Sequence, residues 1–386
     1  MAERERLESL AVPDAAAAEE RAWAVVSDAY AHRRPRRRRS HAAIIAPLVV
    51  LVVAAAVAAA VAATPQGATV ATWIERTLGI SKPVPRSSIG PLPAGGRLLV
   101  TSRGGAFVVA SDGSRTRLGD YTGATWSPHG LFIGAWRGRR LSAVAPDGRV
   151  AWSYLARGRV RAMTWSPDGY RIAYLSGPRL AVVAGDGSGA RLLDARPQAV
   201  APAWRPTEPH TLAWVASDGR VVVRDVDGGR FVWRSAGSVG GATELLWSAD
   251  GRRLLAVAPH VLRVLDVHGN RVWRVPAGPG RRVRAAAWAP VGHRVAVVLD
   301  EHSGLGTVVV TDRLKPGLPG RRIFRTTGRL GPVSWSPDAR TVLVGWGDAD
   351  GWLFLRASGG GRPAAVAPLS HRFGGRPAVR GWCCAR

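Results

Sequence analysis

The sequence predicts an all-β fold, because a Trp followed by a tight polar turn recurs along its last three quarters. The chain has 386 residues, and successive turns are separated by 39 to 47 positions. The six turns begin at Trp126, Trp165, Trp204, Trp247, Trp288 and Trp335. A repeat of roughly 40–45 residues with one Trp turn per unit is typical of a β-propeller, in which each repeat forms a four-stranded blade.

Each repeat carries residues suited to a blade. In the W-S-P-D-G turn at Trp165, Pro fixes φ at the first corner and Asp-Gly completes the turn. The Trp ends an apolar strand and is large enough to fill the wedge between neighbouring blades. A second turn, such as Asp147-Gly148 or Asp186-Gly187, lies between apolar runs and predicts a hairpin. Three further Trp residues predict outer strands: Trp152, Trp233 and Trp273.

The two ends of the repeat region predict the number of blades. The first hairpin, around residues 97–113, has no Trp turn before it. The last nine residues, A-V-R-G-W-C-C-A-R, form a strand that ends in Trp382 and has no hairpin after it. The two half-units complement each other, which predicts a seven-bladed propeller over residues 97–386, closed by the C-terminal strand. Closure would remove sheet edges that invite aggregation. Six blades with ragged ends is the alternative.

The turns at Trp126, Trp165, Trp247 and Trp335 resemble the repeats of TolB-type, WD-repeat-like propellers. The resemblance covers roughly residues 95–386. It implies the fold and says almost nothing about activity. Propellers are most often recognition surfaces, so a protein- or ligand-binding module is the expectation.

The N-terminal quarter has a different composition. Residues 42–63 contain no charge, and at ~1.5 Å per residue they would form a helix of roughly 33 Å, enough to cross a bilayer. A tail of 41 residues precedes this segment, and residues 64–96 follow it as a short amphipathic helix (residues 70–78) and a Pro-rich linker.

Six Arg residues lie between positions 33 and 39, directly before the apolar segment. The positive-inside rule then predicts a single-pass protein of a bacterial cytoplasmic membrane, with the N-terminus inside and the propeller outside. A cleaved signal peptide is the alternative, since Ala-x-Ala sites abound near residue 63. We favour an uncleaved anchor because the tail is long for a signal sequence.

The charge balance indicates the kind of partner. The net charge is +27, and almost all of it lies beyond the tail. An exterior basic domain would attract anionic phospholipid headgroups, wall polymers or an acidic protein, and with this topology nucleic acid is not expected. The only two Cys residues, Cys383 and Cys384, exclude a disulfide framework. They could form a bridge to each other or between chains, or serve as small apolar strand residues.

Arg residues recur near the beginning of the innermost strands. Six residues before the repeat Trp stand Arg159, Arg282, Arg329 and Arg376; four before it stand Arg161 and Arg284. The propeller geometry predicts that these six side chains gather at the channel mouth opposite the Trp turns. Guanidinium groups bind carboxylate or phosphate through paired N–H donors, so the cluster is a candidate site for an anionic partner. Solvated strand-entry residues are the alternative.

The sequence offers no catalytic constellation. Its nine His residues show no metal-ligand spacing, and no phosphate loop or nucleophile elbow appears. We therefore expect no enzyme activity, no metal and no cofactor. The tail offers a second hypothesis, since residues 19–31 place apolar and aromatic side chains along one side of a short helix that could dock on a cytoplasmic protein. Tail, span and exterior domain together have the layout of a transmembrane anti-sigma factor.

Overall fold

The computed structural model describes residues 89–384, except 313, 316, 317 and 319. The predicted tail (1–41), membrane span (42–63), amphipathic helix (70–78) and the linker up to residue 88 lie outside the described residues. Across the described part, no helix has the length and apolarity that crossing a bilayer demands.

The described residues form seven four-stranded antiparallel sheets, as the seven-blade prediction requires. Blade 1 combines the C-terminal strand β28 (Ala378–Cys383) with β1 (Arg97–Ser102), β2 (Gly105–Val109) and β3 (Arg115–Gly119). Blade 2 contains β4 (Gly123–Trp126), β5 (Ile133–Arg137), β6 (Arg140–Val144) and β7 (Val150–Leu155). Blade 3 contains β8 (Val160–Trp165), β9 (Arg171–Ser176), β10 (Arg179–Ala184) and β11 (Arg191–Asp194).

The remaining blades follow the same order from the centre outward. Blade 4 contains β12 (Ala203–Arg205), β13 (Glu208–Val215), β14 (Arg220–Asp225) and β15 (Phe231–Ser238). Blade 5 contains β16 (Glu244–Trp247), β17 (Leu254–Ala258), β18 (Val261–Leu265) and β19 (Arg271–Pro276). Blade 6 contains β20 (Arg281–Trp288), β21 (Val295–Glu301), β22 (Leu305–Thr311) and β23 (Arg321–Thr327). Blade 7 contains β24 (Leu330–Trp335), β25 (Thr341–Trp346), β26 (Gly351–Arg356) and β27 (Ala364–Val366). The Trp residues expected on outer strands lie on β7, β15 and β19.

Strand β28 closes the ring. It pairs with β1 in antiparallel register, with Trp382 opposite Leu98 and Val379 opposite Val100. A short helix, α1 (Ser370–Phe373), precedes it. The ring of Phe373, at the end of α1, is fully buried against Phe107 and Trp352. The predicted pairing of the first hairpin with the C-terminal strand is therefore confirmed.

Residues 89–96, before β1, belong to the propeller, although the sequence assigned residues 64–96 to an amphipathic helix and a Pro-rich linker. Ile89 and Leu92 are buried in the apolar cluster of blades 1 and 7. Their backbone N–H groups donate to the carbonyls of Gly113 and Ser111. Composition alone suggested a stiff spacer, because the two apolar residues that anchor it stand among prolines and glycines.

The Trp turns are held together by a buried Ser. In the turn after Trp165, the Ser166 hydroxyl donates to Asp168 at 2.5 Å and accepts the Arg171 N–H at 2.9 Å. The turns after Trp247 and Trp335 repeat both bonds through Ser248 and Ser336. These three hydroxyls have no exposed surface. The W-S-x-D pattern thus has a reason beyond corner dihedrals, since Ser and Asp satisfy each other and the strand that follows.

The turn at Trp335 departs from the others at its last residue. Ala339 occupies the place of Gly169 and adopts a φ of 56°, in the left-handed region that non-Gly residues rarely enter. Its backbone carbonyl accepts an N–H of Arg294 from blade 6 at 2.6 Å. That contact between blades accompanies the unfavourable conformation.

Four repeat Trp residues form a hydrogen bond to the previous blade, whereas Trp126 and Trp165 have a buried Nε1 without a partner. Trp204, Trp247, Trp288 and Trp335 donate Nε1–H to the carbonyls of Thr164, Ala203, Leu246 and Ala287, at 2.9–3.2 Å. Each acceptor directly precedes the Trp of the previous blade. Trp382 donates instead to the carbonyl of Gly95, in the segment before β1 of its own blade, at 2.9 Å. Apolar clusters fill the space between adjacent sheets, as where Val298 of blade 6 packs in one cluster with Val344 of blade 7.

Candidate anion-binding face

Six arginines selected from the sequence lie where the innermost strands begin. Arg282 and Arg284 are on β20, and Arg161 is on β8. Arg159 and Arg329 directly precede β8 and β24. Arg376 stands two residues before β28. The Trp turns lie at the other end of these strands. The six arginines therefore lie on the face of the ring opposite the Trp turns.

Two cavities on this face share a wall. A cavity of about 390 Å³ is lined by Arg284, Arg329 and Arg376, with Trp346 and Asp350 among its other residues. A neighbouring cavity of about 670 Å³ is lined by Arg282, Arg284, Arg329, Glu244 and Asp300 among others. Arg284 and Arg329 border both. Hereafter the 390 Å³ space is the arginine pocket and the 670 Å³ space is the mixed-charge pocket.

The structure brings four of the six arginines together and separates the other two. Blades 6, 7 and 1 are consecutive, so Arg282, Arg284, Arg329 and Arg376 form one group. Arg159 and Arg161 belong to blade 3, which lies beyond blade 2 on one side and blades 4 and 5 on the other. The corresponding residue of blade 2 is Asp120, which forms ion pairs with Arg117 and Arg137. The expected ring of charge is therefore concentrated on one arc.

The guanidinium groups of this arc have no counter-ion at contact distance. Within the described residues, none of the six selected arginines forms an ion pair or donates a side-chain hydrogen bond. Elsewhere arginines do pair: Arg171 binds Asp168 at 2.8 Å, and Arg325 binds Glu301 at 2.6 Å. Unsatisfied donors that converge on a cavity are available to a ligand.

Arg376 still affects a nearby carboxylate. Burial acts to raise the pKa of Asp350, but hydrogen bonds from Ser370 and the Leu369 N–H, together with the charge of Arg376, hold the pKa below its usual value. Asp350 is already occupied, because it accepts the Ser370 N–H and hydroxyl at the start of α1. The side-chain N–H donors of Arg376 therefore do not bond to Asp350 and are available to a ligand in the arginine pocket.

β-Bulges position several of the inner-strand arginines. In β8, β20 and β28 the register slips by one residue, and the unpaired residues are Arg161, Arg284 and Arg380. A bulge leaves its extra residue outside the ladder and re-aims the side chain. The sequence count placed Arg161 and Arg284 correctly at the strand entrance, but it gave no indication of the bulge.

Arg380 was missed by the count because it stands two residues before Trp382. Its Nε donates to the Thr101 hydroxyl at 2.7 Å. Desolvation by neighbouring atoms lowers the pKa of the Arg380 guanidinium group below the ordinary value for arginine, although the residue as a whole remains exposed. The sequence contained a signal for Arg380, since it is the one charged residue in the otherwise apolar strand β28.

Two carboxyl groups of the mixed-charge pocket were also missed. Burial raises the pKa of Glu244 to about 7, opposed by a hydrogen bond from the Ala286 N–H. Asp300 has an Oδ1 atom that is buried and accepts no hydrogen bond. The repeats contain a signal for Glu244: three residues before the Trp, the other blades have Gly, Ala, Pro or Val.

Cys383 and Cys384 form a disulfide with each other at the end of β28, the first of the possibilities left open by the sequence. Among residues 89–384, outside the four undescribed positions, no group of His, Cys, Asp and Glu has an arrangement that could hold a metal ion. The Asp225 and Asp227 pair lies in the hairpin between β14 and β15, where Asp227 binds Arg171 and His210.

Comparison with known proteins supports the fold. No family model matches the sequence, and no curated protein matches it. Among solved structures, the β-propeller domain of Cps50 (Swd1) from Myceliophteria thermophila is similar, with a TM-score of 0.52 and 16% identity over 67% of this chain and 96% of that one. Hydrazine synthase from Kuenenia stuttgartiensis gives a TM-score of 0.48 and 15% identity over 61% of this chain and 76% of that one. The first likeness shows a propeller fold, and the second is too low to support an inference.

Proposed function

We propose that this chain is a non-enzymatic binding module whose propeller holds an anionic partner on the face formed by Arg282, Arg284, Arg329 and Arg376. The observation that carries the proposal is that these guanidinium groups surround two adjoining cavities and have no ion pair within the described residues. A β-propeller suggests a recognition surface on its own, and the unpaired arginines specify the sign of the partner's charge.

The electrostatics favour an external counter-ion. Like charges that line one cavity repel each other, and nothing in the strand pairing of blades 6, 7 and 1 requires arginine at these positions. A phosphate or carboxylate group would accept paired N–H bonds from the guanidinium groups and offset the repulsion. Because the side chains are exposed, added salt should weaken the binding.

The rest of the proposal concerns location and kinship. An apolar segment of 22 residues preceded by an arginine cluster supports a single-pass anchor with the propeller outside the cytoplasm. The partner is then a component of the cell envelope or an acidic protein. The Trp turns support kinship with TolB-type, WD-repeat-like propellers.

The test is retention of the full chain, in a nonionic detergent, on phosphocellulose. Gln replaces the four arginines Arg282, Arg284, Arg329 and Arg376. The matched control replaces four exposed arginines near the connections between third and fourth strands, on the other face: Arg149, Arg230, Arg322 and Arg362. Both variants lose the same charge, so non-specific attraction falls equally.

We expect the first variant to elute at clearly lower salt than the control variant. Equal elution of the two variants would show that net charge, and not this face, governs retention, and would overturn the proposal.

A further inference from the structure

The mixed-charge pocket contains acceptors as well as donors, which a purely anionic ligand does not use. Asp300 and Glu244 line the same cavity as Arg282, Arg284 and Arg329. Opposite charges that share a cavity normally pair with each other. Here Glu244 and Asp300 form no ion pair with any described residue.

Asp300 is the clearest case of an unsatisfied acceptor. Its Oδ1 atom is buried and accepts no hydrogen bond. A buried carboxylate oxygen without a donor is unfavourable, because it has lost its hydrogen bonds to water and gained none from the protein. Native structures rarely leave such an atom without a partner, so the pocket lacks a donor group at this point.

The register makes the missing contact more informative. Arg282 lies directly opposite Asp300 in the β20–β21 ladder, and directly opposite residues project from the same face of a sheet. No ion pair joins the two side chains, so the guanidinium nitrogens of Arg282 lie more than 4 Å from the carboxylate oxygens of Asp300. Asp300 Oδ1 therefore has no hydrogen-bond donor, although Arg282 projects from the same face of the sheet.

Glu244 adds a second acceptor from the neighbouring blade. Its carboxyl group accepts the Ala286 N–H, and burial raises its pKa to about 7. A cationic donor in the pocket would stabilise the ionised carboxylate, as nearby opposite charge does.

The charge of the adjoining arginine pocket indicates the other half of the ligand. Three guanidinium groups border it, those of Arg284, Arg329 and Arg376, together with the carboxylates of Asp348 and Asp350, which already accept the Arg329 N–H and the Ser370 donors. A carboxylate carries one negative charge, whereas a phosphate monoester carries between one and two near neutral pH and presents more acceptor oxygens. The phosphate is the better complement to three converging cations.

We propose that the two pockets together take a phosphate monoester bearing a primary ammonium group, with the phosphate between Arg284, Arg329 and Arg376 and the ammonium donating to Asp300 and Glu244. This proposal rests on the proposed anion-binding function and specifies its ligand. The shared walls at Arg284 and Arg329 place the two ends of such a ligand side by side.

Three probes that differ only at the amine test the proposal: O-phosphorylethanolamine, O-phosphorylcholine and ethyl phosphate. The choline compound keeps the positive charge but has no N–H donor, and ethyl phosphate has neither. Their dissociation constants are measured by calorimetry on the full chain in a nonionic detergent. Losing a charge-assisted hydrogen bond should weaken binding about tenfold.

In the wild type, O-phosphorylethanolamine is expected to bind about tenfold more tightly than the other two probes. Asp300→Asn should reduce that preference without weakening the binding of ethyl phosphate, because it removes one of the two acceptors and no cation. As a matched control, Asp120→Asn removes a charge from the same face in blade 2 and should retain the preference. Arg284→Gln should weaken all three probes.

Equal affinity of the three probes in the wild type, or no binding of any, would overturn the proposal. So would a preference that Asp300→Asn leaves undiminished, because the preference would then arise elsewhere. If Arg282 turns to Asp300 in solution, Arg282→Gln would create the preference and the wild type would lack it, which also contradicts the proposal. In all these cases the phosphocellulose experiment tests anion binding independently, so failure of the ligand proposal does not decide the proposed function.

A further arm distinguishes a monoester ligand from a lipid headgroup, whose phosphate is a diester with a single negative charge. Vesicles of phosphatidylcholine with and without phosphatidylethanolamine are offered in competition with free O-phosphorylethanolamine. We expect no competition, and competition by vesicles of either kind would show that a diester suffices and would overturn the monoester assignment.

Discussion

Glu244 shows how one carboxyl group can reveal a pocket to experiment. It begins β16 at a position where the other blades have small or apolar residues, and burial raises its pKa to about 7. Glu244 shares its cavity with Arg282, Arg284, Arg329 and several other charged groups, yet pairs with none of them. The side chain is more isolated from water than its place at the start of a strand suggests.

The raised pKa predicts a specific pH dependence of stability. Between the ordinary value of 4.5 and about 7, the folded state binds a proton that the unfolded state has lost, so stability falls as pH rises through this window. The difference can reach about 3 kcal/mol. Glu244→Gln cannot ionise, so the variant should be more stable than the wild type at pH 8 and similar to it at pH 4.5. Parallel unfolding free energies for the two proteins across this range, measured with urea, would contradict the raised pKa.

At the scale of the element, the Trp that ends each innermost strand is both a wedge and a hydrogen-bond donor. Trp204 donates Nε1–H to the Thr164 carbonyl of blade 3 at 3.1 Å. Trp165 occupies the corresponding place in blade 3, but its Nε1 is buried without a partner. The two indoles are buried to a similar degree, 7% and 9% exposed. A comparison of Trp204 with Trp165 therefore separates the contribution of the indole hydrogen bond from that of the buried apolar volume.

Replacing each of the two by Phe should have unequal effects. Both variants lose similar volume, but Trp204→Phe also leaves the Thr164 carbonyl without its indole donor. Trp165→Phe instead removes a buried, unsatisfied N–H. We expect Trp204→Phe to lower the free energy of unfolding by about 1 kcal/mol more than Trp165→Phe. Urea denaturation measures the difference, and equal losses would show that the Trp contributes volume only.

The elements differ in how far the sequence predicts them. The strands and turns of the blades were predicted because Trp, Pro and Gly at fixed offsets impose local conformations. The buried role of Ser166 was not predicted, because a hydroxyl in a polar turn gives no sign of burial. The bulges at Arg161, Arg284 and Arg380 were not predicted either, because a bulge depends on the register between two strands.

At the scale of the whole molecule, the ring concentrates charge that the sequence spreads over about 95 residues, from Arg282 to Arg376. Counting back from each Trp predicted that arginines share a face, because every blade repeats the same geometry. It did not separate blade 3 from blades 6, 7 and 1, although the order of the repeats along the chain already sets the Arg159 repeat apart from the other three. Nor could it find Asp300, whose importance depends on the burial of its Oδ1 atom, which the sequence does not indicate.

Ring closure is the property on which this arrangement depends. Strand β28 supplies the innermost strand of blade 1, and its Val379 and Trp382 are buried with Leu98 and Phe354 in one cluster. Deleting residues 378–386 would expose the edge of β1 and leave that cluster open to water. Unpaired sheet edges of this kind promote association between chains.

The truncated chain should therefore melt well below the full chain or aggregate on purification. Trp382→Ala should show a smaller effect of the same sign, about 3–5 kcal/mol, because it keeps the backbone pairing but removes a buried aromatic side chain. Melting followed by circular dichroism, with light scattering for aggregation, ranks the three proteins. If the truncated chain melts at the temperature of the full one, blade 1 is stable with three strands. The placement of the four arginines in blades 6, 7 and 1 would then not depend on the pairing of β28 with β1.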